Sequence, residues 1–214
     1  MNRSIRVIVS RRIVVSAVLA VAVLGTPAAH AALTSSSTLS QQITAGVLST
    51  SIRDAAGVVV ASPSFSMGSV VASTASQTAT GTFGSNTQRI TVDNPGGANN
   101  GWVLSLAATG GATATWTSGG STYAFNGTTA TGQLTINPSV STITPASGNT
   151  ATGIAKGTSA TFSVAVPITL ITAALASEDV WNGYVTGIGV SQLIPASQPV
   201  GTYTIDLTQT VVAS

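Results

Sequence analysis

Runs of alternating β-branched residues, cut at short intervals by turn formers, constrain this chain more than any other feature. Val, Ile and Thr alternate with small or polar residues in Gln41–Arg53, Gly57–Ala61, Thr78–Phe83, Gln88–Asp93 and Gly101–Ala107. The same holds in Thr113–Thr117, Gly132–Ile136, Ala160–Val166, Tyr184–Leu193 and Gly201–Val212. A period of two puts alternate side chains on one face of a strand. Between the runs stand Asn94-Pro95-Gly96-Gly97, Ser118-Gly119-Gly120, Asn126-Gly127, Asn137-Pro138, Lys156-Gly157 and Gln198-Pro199-Val200-Gly201. Gly, Pro and Asn supply the backbone angles that turns need. Many short strands at this spacing predict an all-β chain, an antiparallel β-sandwich of Ig-like or Greek-key type. Leu170–Trp181 is read differently. Its Ala173-Ala174-Leu175-Ala176 core fits one or two helical turns, and an extended connection fits equally. Thr/Ser-rich Ser69–Thr82 and Ser139–Gly153 fit strands with polar faces or long loops.

The chain carries seven Lys or Arg, five Asp or Glu, one His and no Cys in 214 residues. Four of the basic residues, Arg3, Arg6, Arg11 and Arg12, precede an apolar stretch from Ile13 to Leu24. Gly25-Thr26-Pro27 breaks that stretch, and Ala29-His30-Ala31 provides a small-x-small cleavage pattern. These are the three parts of a secretory signal peptide, a helical leader over residues 1–31. The apolar stretch is shorter than the roughly 20 residues a membrane span needs. Ser10-Arg11-Arg12 also fits a loose twin-arginine pattern. Cleavage after Ala31 leaves residues 32–214 as one expected domain, with a short arm before Leu39.

That remainder has three basic residues (Arg53, Arg89, Lys156) against five acidic ones (Asp54, Asp93, Glu178, Asp179, Asp206), a net charge of −2. Nucleic-acid binding then lacks the clustered Lys and Arg it requires. Chemistry through His or Cys, and metal sites built from them, have no residues to use. Neither a cofactor nor a metal is expected. Disorder is disfavoured as well, because it goes with high charge and few β-branched residues. A surface of hydroxyls with few charges suits packing against polymer, and exposed strand edges without charges invite pairing between chains.

The most informative segment is Ile90-Thr91-Val92-Asp93-Asn94-Pro95-Gly96-Gly97-Ala98-Asn99-Asn100-Gly101-Trp102-Val103-Leu104-Ser105-Leu106. It reads as a hairpin: a strand to Asp93, a Gly/Asn loop, and a strand from Gly101 with Trp102, Leu104 and Leu106 on one face. Its Val92-Asp93, Gly96-Gly97 and Gly101-Trp102-Val103-Leu104 resemble the first signature of the WxL-domain proteins of Gram-positive cell surfaces. Leu193-Ile194-Pro195-Ala196, Gly201-Thr202-Tyr203 and Leu207 resemble that family's closing pattern. Where the family's second signature has Trp, this chain has Gln209-Thr210-Val211. The resemblance spans roughly residues 88–214. It implies non-covalent attachment to peptidoglycan or another envelope glycan.

Four residues are the binding candidates: Trp102, Leu104, Trp181 and Tyr184. Trp102 fits either a sugar platform or a core indole between sheets. Trp181-Asn182-Gly183-Tyr184, next to Glu178-Asp179, is the better place for exposed aromatics, and Trp116 reads as a packing residue. Asp93, Asn94, Asn99 and Asn100 supply oxygens, but one carboxylate is few for Ca²⁺, and an Asx turn explains them. Neighbouring Glu178 and Asp179 are ill placed to flank a glycosidic bond. Asn126-Gly127-Thr128 matches a glycosylation triplet. The expectation is therefore a secreted, non-catalytic, wall-associated protein without stable membrane insertion after cleavage. Its partners would be cell-wall glycan, other surface proteins or itself. The alternative is a structural subunit of a surface fibre or layer, joined through strand edges.

Overall fold

The computed structural model describes residues 37–214 except 98–99, 164–165, 176 and 178–179. The leader, Asn99 and the Glu178-Asp179 pair lie outside the described residues. The chain divides into two units, Met1–Gln42 and Ile43–Ser214. In the first, residues 37–42 are all exposed. The second carries every described strand.

Among the described residues fourteen strands form four antiparallel sheets. In chain order they are β1 (Ser49–Arg53), β2 (Gln77–Phe83), β3 (Arg89–Asn94), β4 (Trp102–Ala108), β5 (Thr115–Ser118), β6 (Ser121–Ala124) and β7 (Gln133–Asn137). Then follow β8 (Thr142–Pro145), β9 (Ile154–Lys156), β10 (Ala160–Thr161), β11 (Ile168–Ala173), β12 (Trp181–Thr186), β13 (Ile188–Ile194) and β14 (Leu207–Ala213). Sheet A has the order β1-β3-β12-β8, sheet B β10-β7-β13-β2 and sheet C β14-β4-β11-β9, while β5 and β6 form a separate hairpin. The all-β, antiparallel expectation holds.

Sheets A and B meet along a line of breaks. Three chain segments cross it: β2 to β3, β7 to β8, and β12 to β13. They turn at Gly84 (φ +84°), at the 3₁₀ turn Pro138–Val140, and at Gly187 (φ +72°). The Gly187 amide donates to the Gly84 carbonyl at 2.9 Å, which ties two of the breaks together. A positive φ is open to glycine without a Cβ clash. The run Tyr184–Leu193, expected as one strand, is therefore two.

Alternation builds the core. β4 buries Trp102, Leu104, Leu106 and Ala108, and β3 buries Ile90, Val92 and Asn94. Leu134 and Ile136 of β7 and Ile188 of β13 join the same cluster. One apolar interior thus serves sheets A, B and C, as a sandwich requires.

Several expectations need correction. The segment 90–106 is not a hairpin. β3 pairs with β1 and β12, whereas β4 pairs with β14 and β11. Each strand carries a buried apolar row, and placing the two in different sheets lets those rows share one interior. Of the two alternatives open for the stretch after Leu170, the helical one does not occur among its described residues. Ile168–Ala173 is instead a central strand between β4 and β9, with a bulge between Thr169 and Ile171. Its burial between two neighbours overrides the helix preference of the alanines that follow. Gln41–Arg53 becomes a strand only from Ser49, and Gly57–Ala61 contributes one bridge, Arg53 to Val59. Gly201–Val212 becomes a strand from Leu207, and Ala160–Val166 reduces to Ala160–Thr161. Strands β6 and β9 fall outside every expected run, and β8 lies within Ser139–Gly153, which was open to a strand or a long loop.

Candidate functional site

Three of the four binding candidates lie in the interior. Trp102 is 1 % exposed, and Leu104 and Trp181 are fully buried. The two indoles pack together at 5.4 Å between ring centroids, tilted by 41°. Trp181 Nε1 donates to the Thr150 carbonyl at 2.8 Å. Trp102 Nε1 is buried without an acceptor among the described residues. The reading of Trp181 as an exposed aromatic is corrected: β12 alternates, and Trp181, Gly183 and Val185 point inward. For Trp102 the core alternative matches its position. Gly101 is needed for close approach, since a Cβ there would lie 2.5 Å from the Ala173 carbonyl oxygen.

Tyr184 is the exception. It is half-buried and occupies the opposite face of β12, between Asn182 and Thr186. Cross-strand partners share a face, so the register defines what surrounds it. Tyr184 stands opposite Thr91 on β3 and Thr144 on β8. Thr91 stands opposite Ser51 on β1, and Arg89 opposite Arg53. The outer face of sheet A is thus a row of hydroxyls with an aromatic ring and two guanidinium groups. Arg89 Cζ sits 4.5 Å from the Tyr184 ring centroid. This distance is a cation–π contact.

Local bonds hold this face in order. Ser51 Oγ and Thr91 Oγ1 share a hydrogen bond of 2.9 Å, and Arg53 Nε donates to Ser51 Oγ at 2.9 Å. The tight turn after β1 covers one end. Asp54 Oδ1 accepts from the amides of Ala56 and Val58, both at 2.9 Å. Arg89 Nη1 donates to the Ala55 carbonyl and Arg53 Nη1 to the Gly57 carbonyl, each at 3.3 Å. Arg89 Nε is buried without a partner among the described residues.

The remaining aromatics form a second cluster. Trp116 stacks on Tyr123 at 6.0 Å, and Tyr123 meets Tyr203 at 5.0 Å. Trp116 Nε1 donates to Oε1 of the buried Gln192 at 2.8 Å, so its packing role stands. Burial, with Tyr203 adding, pushes the Tyr123 phenol up to about 12. Asn94 Oδ1 accepts from the Gly96 amide at 3.3 Å, the contact of an Asx turn. Asn126 Nδ2 donates to the Ala112 carbonyl, so the amide of the glycosylation triplet is engaged.

Among the described residues no group of three or more His, Cys, Asp or Glu side chains could hold a metal ion. No helix among them is long and apolar enough to cross a membrane. Sequence reasoning found Tyr184 but missed its arginine neighbours. Arg53 and Arg89 entered only the charge count, because their opposition exists only once β1 and β3 pair. No protein-family model matches this chain, and neither does any curated protein or solved structure.

Proposed function

We propose that this protein is a secreted, non-catalytic component of a bacterial cell envelope, held to wall glycan without a covalent link. One observation carries the reading. The outer face of sheet A is lined with Ser and Thr hydroxyls around Tyr184, while the large indoles are kept inside. A fixed, hydroxyl-lined surface with one aromatic ring suits a polyhydroxylated polymer: it offers donors and acceptors in register and one apolar face. The resemblance of Gly101-Trp102-Val103-Leu104 to the WxL signature supports the same reading.

Co-sedimentation with purified Gram-positive sacculi tests it. The protein should pellet with sacculi, and Tyr184→Ala should weaken retention about tenfold while leaving the circular dichroism spectrum unchanged. Absence of retention for the unaltered protein would overturn the proposal.

A second reading, a fibre subunit joined through strand edges, has its own support. Leu39, Ile43 and Val47 fall on one face of a strand-like sequence, and they are 99, 91 and 81 % exposed. Residues 43–48 belong to no strand, although the Gly46 amide donates to the Pro95 carbonyl. Such a segment suits addition to the sheet edge of another copy. Electron microscopy of concentrated protein separates the readings: filaments together with indifference to sacculi would favour the subunit.

A further inference from the structure

We propose that Arg53 and Arg89, with Tyr184 under Arg89, form a binding site for an anionic oxygen group, a carboxylate or phosphate, carried by the envelope polymer. This inference rests on the reading that the outer face of sheet A meets that polymer.

Arg53 and Arg89 are register partners on adjacent antiparallel strands. Side chains so placed start about 5 Å apart at Cβ, and like charges there repel. In a chain with so few charges, two of its three basic residues outside the leader stand side by side. A partner of opposite charge between them would turn the repulsion into attraction.

The described residues supply no such partner. Among the described residues the hydrogen bonds of both arginines go to Ser51 Oγ and to backbone carbonyls, none to a carboxylate. Asp54, the nearest carboxylate in sequence, has Oδ1 committed to the Ala56 and Val58 amides. Asp93 is on the same strand face as Arg89, four residues along β3. At about 3.3 Å per residue the spacing is about 13 Å. That exceeds the screening length of about 8 Å at physiological salt. Arg89 Nε, moreover, is buried and unsatisfied.

Both guanidinium groups are preorganised. Single bonds to the Ala55 and Gly57 carbonyls and to Ser51 Oγ, plus the Tyr184 ring, set both guanidinium groups. Each guanidinium has five donors, so both keep donors for a ligand. Arginine forks match the planar oxygens of carboxylate and the oxygens of phosphate. Ser51 and Thr91, bonded to each other at 2.9 Å on the same face, place hydroxyls beside the guanidinium pair.

Two measurements test the site. The first follows the arginine Nε–Hε resonances of the folded protein by NMR during titration with glycerol phosphate and with acetate. Saturable shifts at Arg53 and Arg89, larger than at the tryptophan Nε1–H resonances, are expected. The absence of shifts with both probes overturns the proposal, whatever sacculi do. The second compares sacculi before and after removal of phosphodiester polymers with acid. Arg53→Gln/Arg89→Gln should lose at least tenfold in retention and most of its salt dependence, while Arg53→Lys/Arg89→Lys keeps part of both. Retention on stripped sacculi assigns the anion to peptide carboxylates, and loss assigns it to phosphate. If the Gln pair is retained as well as the unaltered protein, the anion site is wrong while wall binding stands. If the unaltered protein ignores all sacculi but shows the titration shifts, the wall reading fails and the anion site stands.

Discussion

The two core tryptophans provide a sensitive test of the packing, because they differ in one contact. Trp102 and Trp181 are equally buried and pack on each other. Replacing either with Phe removes two to three heavy atoms of apolar volume, worth about 2 kcal/mol at roughly 0.8 kcal/mol per buried methylene. At Trp181 the change also deletes the 2.8 Å bond from Nε1 to the Thr150 carbonyl. That adds about 1 kcal/mol. At Trp102 the deleted N–H is buried without an acceptor among the described residues. Removing an unsatisfied buried donor relieves about 1 kcal/mol or more. Trp102→Phe should therefore cost about 1 kcal/mol and Trp181→Phe about 3. For a domain of this size, 1 kcal/mol moves the melting temperature by roughly 2–4 °C. The variants should differ by roughly 4–8 °C in thermal unfolding followed by circular dichroism, with urea midpoints in the same order. A Trp102→Phe variant at least as unstable as Trp181→Phe would refute the reasoning.

Other consequences follow from particular residues. Gly187→Ala should cost about 1 kcal/mol from its positive φ alone, since a Cβ there meets nothing within 4 Å. Gly84→Ala should cost more, because its Cβ would also come 3.1 Å from Thr186 Cα and the Val185 carbonyl oxygen; urea denaturation ranks the two. Tyr123 has its folded pKa raised to about 12 by burial. Its neutral form is favoured in the fold, so this contribution is fully present below pH 10 and is lost as pH rises through 12. The loss is about 3 kcal/mol, and Tyr123→Phe should flatten stability against pH across that window. Replacing Leu39, Ile43 and Val47 together with Ser should leave the melting temperature within about 2 °C, as all three are exposed. If strand donation joins copies, the same variant should abolish filaments in electron micrographs.

Much of the architecture was legible in local pattern. Trp102, Leu104 and Leu106 alternate in the sequence and are buried together on one face of β4. Turn residues at Gly119-Gly120 closed the β5–β6 hairpin where the sequence placed a turn, although β6 itself was not foreseen. Ile168–Ala173 was less legible, because a short buried strand and a helix start with similar composition. Tyr184 was expected among exposed aromatics, and it is half-buried on the outer face of β12. The neighbouring Trp181 was expected outside, yet the parity of β12 turns it inward as it turns Tyr184 outward.

The amino-acid sequence by itself determined the class of structure and the inventory of reactive side chains. Alternation and turn residues are local properties, and they specify antiparallel strands before any contact forms. The inventory of His, Cys and charge is likewise read from the sequence, and it leaves residues 32–214 without His or Cys. Only tertiary structure decided which strands are neighbours. It sent β3 and β4 to different sheets, and it set β1 beside β3 so that Arg53 faces Arg89. Pairing of that kind joins residues far apart in the chain. It is selected by how well many buried faces share one interior, a sum over the whole fold that no local pattern contains.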